Sequence, residues 1–146
     1  MIQTANINRL FLDLWPAMPY CNINHQLCLS QSDKIESRFE EHGKDFDKLL
    51  QSLIKINGIG LTIASGLIWS VYRNEAVPFD KYTMAHALSK EILRSEIIST
   101  GRYSKACQKI VEYCRKKEDE TQMSFTIEDF VREAPHQGYE YSIEPS

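Results

Sequence analysis

The sequence predicts an all-α fold, a compact orthogonal bundle of five to six helices built around a central helix-hairpin-helix. Apolar residues recur at intervals of three and four along most of the 146-residue chain, which is the period of an amphipathic helix. Glycine, proline and capping residues separate these segments at lengths typical of globular helices. No segment has the alternating apolar and polar pattern of a half-buried strand.

Length and composition favour one globular domain, since 42% of the residues are hydrophobic and 25% are charged. We assign residues 1–133 to a single all-α domain, with the hairpin at about 45–73, and residues 134–146 to an extended or disordered acidic tail. The longest strongly apolar stretch, 63–72, is shorter than the about 20 residues that span a bilayer. Because the N-terminus also lacks the pattern of a signal peptide, we expect a cytoplasmic protein with no membrane association.

Three helices are predicted before the hairpin turn. Residues 5–16 have apolar side chains at helical spacing, and two prolines end that helix. Residues 17–31 have no clear period and are predicted to form an irregular, partly buried connection. Ser32 is the expected N-cap of a helix over 33–42. A strongly amphipathic helix then covers about 45–56.

The turn Asn-Gly-Ile-Gly at 57–60 interrupts the helical pattern at the centre of the chain. The helix predicted after it, over about 61–73, is apolar nearly all round and therefore belongs at the middle of the fold. Residues 74–79 form a predicted loop. Asp80 is the expected N-cap of a helix over about 81–93.

Two further helices are predicted in the C-terminal part. A turn at 99–101 precedes a helix over about 104–117, which the acidic run 118–120 is expected to end. The segment from Thr126 to Asp129 resembles a capping box and starts a short last helix. Pro135 is expected to stop that helix.

Charge is unevenly distributed along the chain, although the formal net charge is only −3. Residues 81–117 contain nine basic and three acidic side chains, whereas residues 118–146 contain one basic and eight acidic side chains. This asymmetry is typical of a protein with one face for an anionic partner. It is equally typical of a solvated helix face that the acidic segment neutralises, because the sequence does not show whether the basic residues share a face.

The four cysteines form two pairs of the same spacing, Cys21 with Cys28 and Cys107 with Cys114. This spacing differs from the short C-x2-C knuckle of zinc sites. Seven residues apart on a helix, Cys107 and Cys114 share a face and suit two small buried side chains. We therefore expect reduced thiols and no metal or other cofactor. The alternative is a zinc site formed by all four cysteines, or by His25 and three of them.

The hairpin turn has the chemistry of an anion-binding site. Two helices joined through a Gly-x-Gly turn leave backbone N–H groups unpaired at the start of the second helix. These donors and the helix dipole attract a phosphate, and contacts made by backbone do not depend on nucleotide sequence. The structural alternative is an ordinary helical hairpin whose glycines only permit a sharp turn.

The run from Ile56 to Ser65, INGIGLTIAS, resembles the helix-hairpin-helix of the base-excision DNA glycosylases, the superfamily that includes endonuclease III and the alkyladenine and 8-oxoguanine glycosylases. The family pattern is hydrophobic-Pro-Gly-hydrophobic-Gly, then a small-residue helix with alanine where this chain has Ala64. A loop with proline follows, and then an aspartate that opens the next helix. Asp80 lies 22 residues after Gly58, the interval expected in the family. The resemblance covers roughly residues 45–95.

The resemblance implies that Asp80 is the catalytic carboxylate of a DNA glycosylase. Its charge would stabilise the positive charge that develops on the deoxyribose as a flipped-out, damaged base leaves, and would help to activate the nucleophile. The alternative is that Asp80 only caps its helix. The Schiff-base lysine of bifunctional members corresponds to Thr62, so the resemblance implies a monofunctional enzyme without lyase activity.

The predicted function is sequence-independent binding of the phosphate backbone of double-stranded DNA. Monofunctional hydrolysis of the N-glycosidic bond of a damaged base is the narrower form of this prediction. The rival is a helical protein–protein interaction module that has lost DNA binding and catalysis, and the net negative charge favours it. The predicted DNA-contacting residues are Lys55, Asn57, Gly58, Ile59, Gly60, Thr62 and Lys81.

Overall fold

Helices are the only regular elements in the part of this computed structural model that is described, residues 2–14, 21–94 and 100–134. The predicted all-α class is therefore confirmed. The α-helices are α1 (Thr4–Asn8), α2 (Cys21–Ser30), α3 (Ser32–His42), α4 (Phe46–Ile54), α5 (Leu61–Val71), α6 (Lys81–Ser89), α7 (Tyr103–Thr121) and α8 (Ile127–Glu133). A π-helical segment, Arg9–Leu14, follows α1, and a 3₁₀ turn, Thr100–Arg102, precedes α7.

Helices α4 and α5 form the hairpin at the centre of the bundle. Asp45 caps α4 by accepting a hydrogen bond from the Lys48 N–H at 3.4 Å. One face of α4 is buried, as its apolar stripe predicts. Every residue of α5 from Ile63 to Ser70 is buried, so the prediction of a central apolar helix is confirmed.

The loop between α5 and α6 is buried and is held by side chains from its neighbours. All five residues from Ala76 to Asp80 are buried. The Phe79 N–H donates to the Ser65 hydroxyl at 2.7 Å, and the Tyr103 hydroxyl donates to the Val77 carbonyl at 2.7 Å. These bonds satisfy backbone groups that burial removes from water, and they fix the position of Asp80.

The region 17–31 was expected to be irregular, and for its described residues, from 21 onward, this expectation is wrong. They form α2, which buries Cys28 and His25 against the core although polar residues interrupt its apolar pattern. The described residues contain eight α-helices, more than the predicted five to six. Ser32 is also not an N-cap, because α3 already includes it and Gln31 precedes the helix.

The acidic run does not end α7, contrary to the sequence prediction. The helix continues to Thr121 and ends where Gln122 adopts a left-handed conformation with φ of 58°. The Glu118 carboxylate accepts a hydrogen bond from the Phe125 N–H at 3.0 Å, so it stabilises the turn that follows. Lys116 and Glu120 lie 4.0 Å apart on successive turns, which supports the extension of the helix.

The last helix starts with the predicted capping box. The Thr126 hydroxyl accepts from the Asp129 N–H at 3.2 Å, and the Asp129 carboxylate accepts from the Thr126 N–H at 2.8 Å. The helix ends predicted at the two prolines after the first helix and at Pro135 lie outside the described residues. The predicted acidic tail also lies outside them, except for its first residue, Ala134. Among the helices that are described, none combines the length and apolar composition needed to cross a membrane.

Candidate nucleic-acid interface at the hairpin turn

The turn between α4 and α5 exposes most of its backbone to solvent and anchors itself through one side chain. Asn57, Gly58 and Gly60 are exposed, whereas Ile59 is 3% exposed and belongs to the core. The Ile59 N–H donates to the Ile56 carbonyl at 3.1 Å, which closes the turn. Of the predicted DNA-contacting residues, Ile59 therefore contributes to the turn as a buried anchor.

The two glycines of the turn have different roles. Gly58 has a φ of +86°, and a Cβ there would lie 2.6 Å from Leu27 Cδ2. Gly60 has a φ of −96°, which any residue adopts, and apart from its neighbours in the chain no described residue has a heavy atom within 4 Å of the position of its Cβ. The backbone conformation thus requires glycine at position 58 only. At position 60 the missing side chain leaves the start of α5 open.

In the described part of the chain, the first-turn N–H groups of α5 receive no hydrogen bond acceptor from a capping side chain, so an acceptor from another molecule can approach them. Gly60 is the N-cap of this 11-residue helix and has no side-chain oxygen to offer to the first-turn N–H groups. Asp45 and Asp80 supply such an oxygen to α4 and α6. The positive end of the α5 dipole therefore faces solvent beside an exposed glycine.

Asp80 caps α6, as the sequence predicts. Its Oδ1 accepts hydrogen bonds from the Tyr82 N–H at 3.0 Å and the Thr83 N–H at 2.8 Å, and its Oδ2 accepts from the Thr83 hydroxyl at 3.0 Å. The residue is 7% exposed. Both carboxylate oxygens therefore interact with the first turn of α6, which is the geometry of the structural alternative.

The fold brings Thr62, Asp80 and Lys81 to the same end of the bundle. The Thr62 hydroxyl donates to the Phe79 carbonyl at 3.3 Å, which links the first turn of α5 to the residue before Asp80. Lys81 is exposed, and its ammonium group lies 5.0 Å from the centroid of the Tyr82 ring. Lys55 is exposed at the C-terminal end of α4, two residues before the turn.

The basic segment 81–117 is divided by the fold. Lys90 and Lys117 lie 3.7 and 2.9 Å from the Glu133 carboxylate, which also lies 3.1 Å from His86 Nε2. Burial raises the pKa of Glu133, but hydrogen bonds from Lys117 and His86 and their charges outweigh it, so that this pKa lies below its usual value. The basic residues that are exposed and have no ion-pair partner among the described residues are Lys81, Arg94, Arg102, Lys105, Lys109 and Arg115.

The cysteines are placed as buried apolar side chains. Cys107 and Cys114 share the inner face of α7, as the spacing predicts, and Cys28 lies in the core on α2. Burial raises the pKa of each of these three thiols to about 12, which disfavours the thiolate that metals bind. Within the described part of the chain, no three His, Cys, Asp or Glu residues are grouped closely enough to hold a metal ion.

A cluster of charged side chains that the sequence does not reveal lies at the other end of α5. The Glu128 carboxylate on α8 lies 2.7 Å from Arg73, 3.5 Å from Arg9 and 3.9 Å from Arg132. The sequence spacing indicates only one of these contacts, between Arg132 and Glu128, because residues four apart on a helix are neighbours. Arg73 and Arg9 are 55 and 119 residues away from Glu128, in no regular pattern, so no sequence signal indicates the cluster.

Comparison of the chain with protein-family models, curated proteins and solved structures finds no match. The function is therefore inferred from the geometry of the site.

Proposed function

We propose that this protein binds double-stranded DNA without sequence preference, through backbone N–H groups at the start of α5, as a compact relative of the helix-hairpin-helix glycosylases. The observation that carries the proposal is the open, uncapped start of α5 at Gly60. A phosphate oxygen that approaches there meets unpaired N–H donors and the positive end of a helix dipole. Such contacts position a duplex without reading its bases.

Two exposed lysines flank this helix start. Lys55 lies just before the turn. Lys81 is the first residue of α6, and the start of α6 is held near the start of α5 because the Thr62 hydroxyl donates to the Phe79 carbonyl. Their ammonium groups would contact neighbouring phosphates of the duplex and release the counterions that are condensed on the DNA. Thr62 would contribute its backbone N–H, since its hydroxyl already donates to the Phe79 carbonyl.

The test is a fluorescence-anisotropy titration of a plain duplex, and of one with an abasic-site analogue, over a salt series. We expect the double variant K55E/K81E to weaken binding and to lower the salt slope by about 2, about 1 for each phosphate contact. The matched control is K105E/K109E, which makes the same charge change on α7. The Ser104 N–H donates to the Asp47 carboxylate at 2.8 Å, so the start of α7 lies beside the start of α4, away from the turn.

Equal losses in the two double variants would show that only net charge matters and would contradict the hairpin interface. No binding of either duplex at low salt would contradict the DNA-binding proposal altogether.

The narrower proposal is that the protein is a monofunctional glycosylase with Asp80 as the catalytic carboxylate. In its favour, Asp80 follows the residue that contacts the start of α5. The decisive variant is Asp80→Asn, because its amide oxygen still accepts from the Tyr82 and Thr83 N–H groups and preserves the cap. Base release from duplexes with damaged bases should be lost while duplex affinity is retained. Release by the variant at the original rate would assign Asp80 to capping alone.

A protein–protein interaction module is the second candidate, and exposed apolar side chains favour it. Leu12 on the π-helical segment is 53% exposed, and Ile23 on α2 is 64% exposed. These two helical segments contact each other. Side chains of this kind at protein surfaces mark interaction sites when they form a continuous patch. This function predicts no affinity for either duplex.

A further inference from the structure

Three arginines from distant parts of the chain surround one carboxylate. Arg9 comes from the π-helical segment, Arg73 follows α5, and Arg132 lies on α8. Their guanidinium nitrogens lie 3.5, 2.7 and 3.9 Å from the Glu128 carboxylate oxygens. With one negative charge against three positive charges, these four residues carry two net positive charges.

Glu128 does not satisfy the hydrogen-bonding capacity of this cluster. Each guanidinium has five N–H donors, whereas one carboxylate has about four acceptor positions. Arg132 Nε is buried and has no hydrogen-bond partner among the described residues. Buried polar groups in native folds are ordinarily hydrogen-bonded, so Arg132 Nε is a donor available to a further acceptor.

The guanidinium groups are also close enough to repel one another. Burial lowers the pKa of Arg73, Glu128 opposes this effect, and the charges of Arg9 and Arg132 lower the pKa further. Side-chain exposure ranges from 54% for Arg9 to 18% for Arg132, so the cluster is reachable from solvent on one side and partly desolvated on the other. A negative group that entered from the Arg9 side would relieve this repulsion.

We propose that Arg9, Arg73 and Arg132 form a binding site for a phosphate group, with Glu128 holding the arginines in place. Planar guanidinium forks bind two phosphate oxygens at once, and a phosphate carries up to two negative charges, which matches the surplus of the cluster. The site is separate from the hairpin turn. Arg73 follows the C-terminal end of α5 and Gly60 precedes its start, about 16 Å away for an 11-residue helix.

The test uses the full-length protein in a phosphate-free buffer at constant ionic strength, with inorganic phosphate as the titrant and the melting temperature as the readout. We expect a saturable rise in melting temperature. Arg9→Ala should weaken the apparent Kd about tenfold, since it removes one charge-assisted contact. Arg9 is suited to substitution because its side chain is the most exposed of the three. The control is Arg102→Ala, an exposed arginine on the 3₁₀ turn that packs against α4.

Glu128→Gln separates a binding site from a purely structural ion cluster. If the arginines bind phosphate, the variant loses the negative charge that competes with phosphate, while the glutamine amide oxygen still accepts from Arg73 and holds it in place. Phosphate then binds more tightly and restores the melting temperature of the variant. If they only link α8 to α5 and the π-helical segment, the variant melts earlier and phosphate does not change this. No saturable response in the unaltered protein, or an equal loss in Arg9→Ala and Arg102→Ala, would overturn the proposal.

The source of the phosphate follows from a duplex titration of Arg9→Ala. If this variant also loses about tenfold in duplex affinity, the phosphate belongs to the DNA backbone. If duplex affinity is unchanged, the ligand is inorganic phosphate or a small phosphomonoester. The phosphate titration itself does not require the hairpin to bind DNA, so this proposal and the DNA-binding proposal fail separately.

Discussion

Replacing each glycine of the hairpin turn by alanine tests whether the two positions differ as the structure indicates. At Gly58 the left-handed conformation costs an L-residue about 1–2 kcal/mol. The new Cβ would lie 2.6 Å from Leu27 Cδ2, so the end of the Leu27 side chain must shift, and a shift away from a staggered rotamer costs about 0.5–1.5 kcal/mol more. The reduced entropy of the unfolded chain returns about 0.4–1 kcal/mol. We therefore expect Gly58→Ala to lower the free energy of unfolding by about 0.5–3 kcal/mol.

Gly60→Ala is the matched control, because its φ of −96° and the open space around it suit alanine. Its free energy of unfolding should change by less than about 1 kcal/mol. Urea denaturation followed by circular dichroism measures both variants, and the midpoint should fall only for Gly58→Ala. Equal destabilisation of the two variants would refute the assignment of the left-handed turn to Gly58. In the duplex titration, Gly60→Ala should weaken binding without loss of stability if phosphate approaches this backbone.

Three further predictions concern the core and its ion pairs. Tyr103→Phe should destabilise the protein by about 1–2 kcal/mol in thermal unfolding, because the Val77 carbonyl loses its 2.7 Å hydrogen bond; an unchanged melting temperature would contradict this. The pKa of Glu133 is lowered in the folded state, so its interaction with Lys117 stabilises the fold above the usual Glu pKa and is lost as the pH falls through the lowered value. Glu133→Gln should therefore flatten the fall in melting temperature below about pH 4.5, and an unaltered profile would contradict this. A Cys21→Ser variant retains three thiols, which are all buried: Cys28, Cys107 and Cys114. Because they are buried, the thiol reagent DTNB should react with them quickly only after denaturation. Fast reaction of the native variant would contradict their burial.

The candidate site was predictable to the extent that it depends on neighbours in the sequence. The Asn-Gly-Ile-Gly turn and the cap at Asp80 were both expected from residues within a few positions of them. The role of Thr62 was not, because its hydroxyl bonds the carbonyl of Phe79, 17 residues away. The distinction between Gly58 and Gly60 also depends on a distant residue, Leu27 on α2.

The sequence by itself determined the helical class, the central position of α5 and the capping box at Thr126. Helix periodicity and capping involve residues three or four positions apart, so their energetics are local. Only the tertiary structure decided that 21–30 is a helix, because packing of its buried face outweighs a weak apolar pattern. It also decided that Arg9 and Arg73 meet at Glu128, since burial and charge act between side chains that the fold brings together from distant parts of the chain.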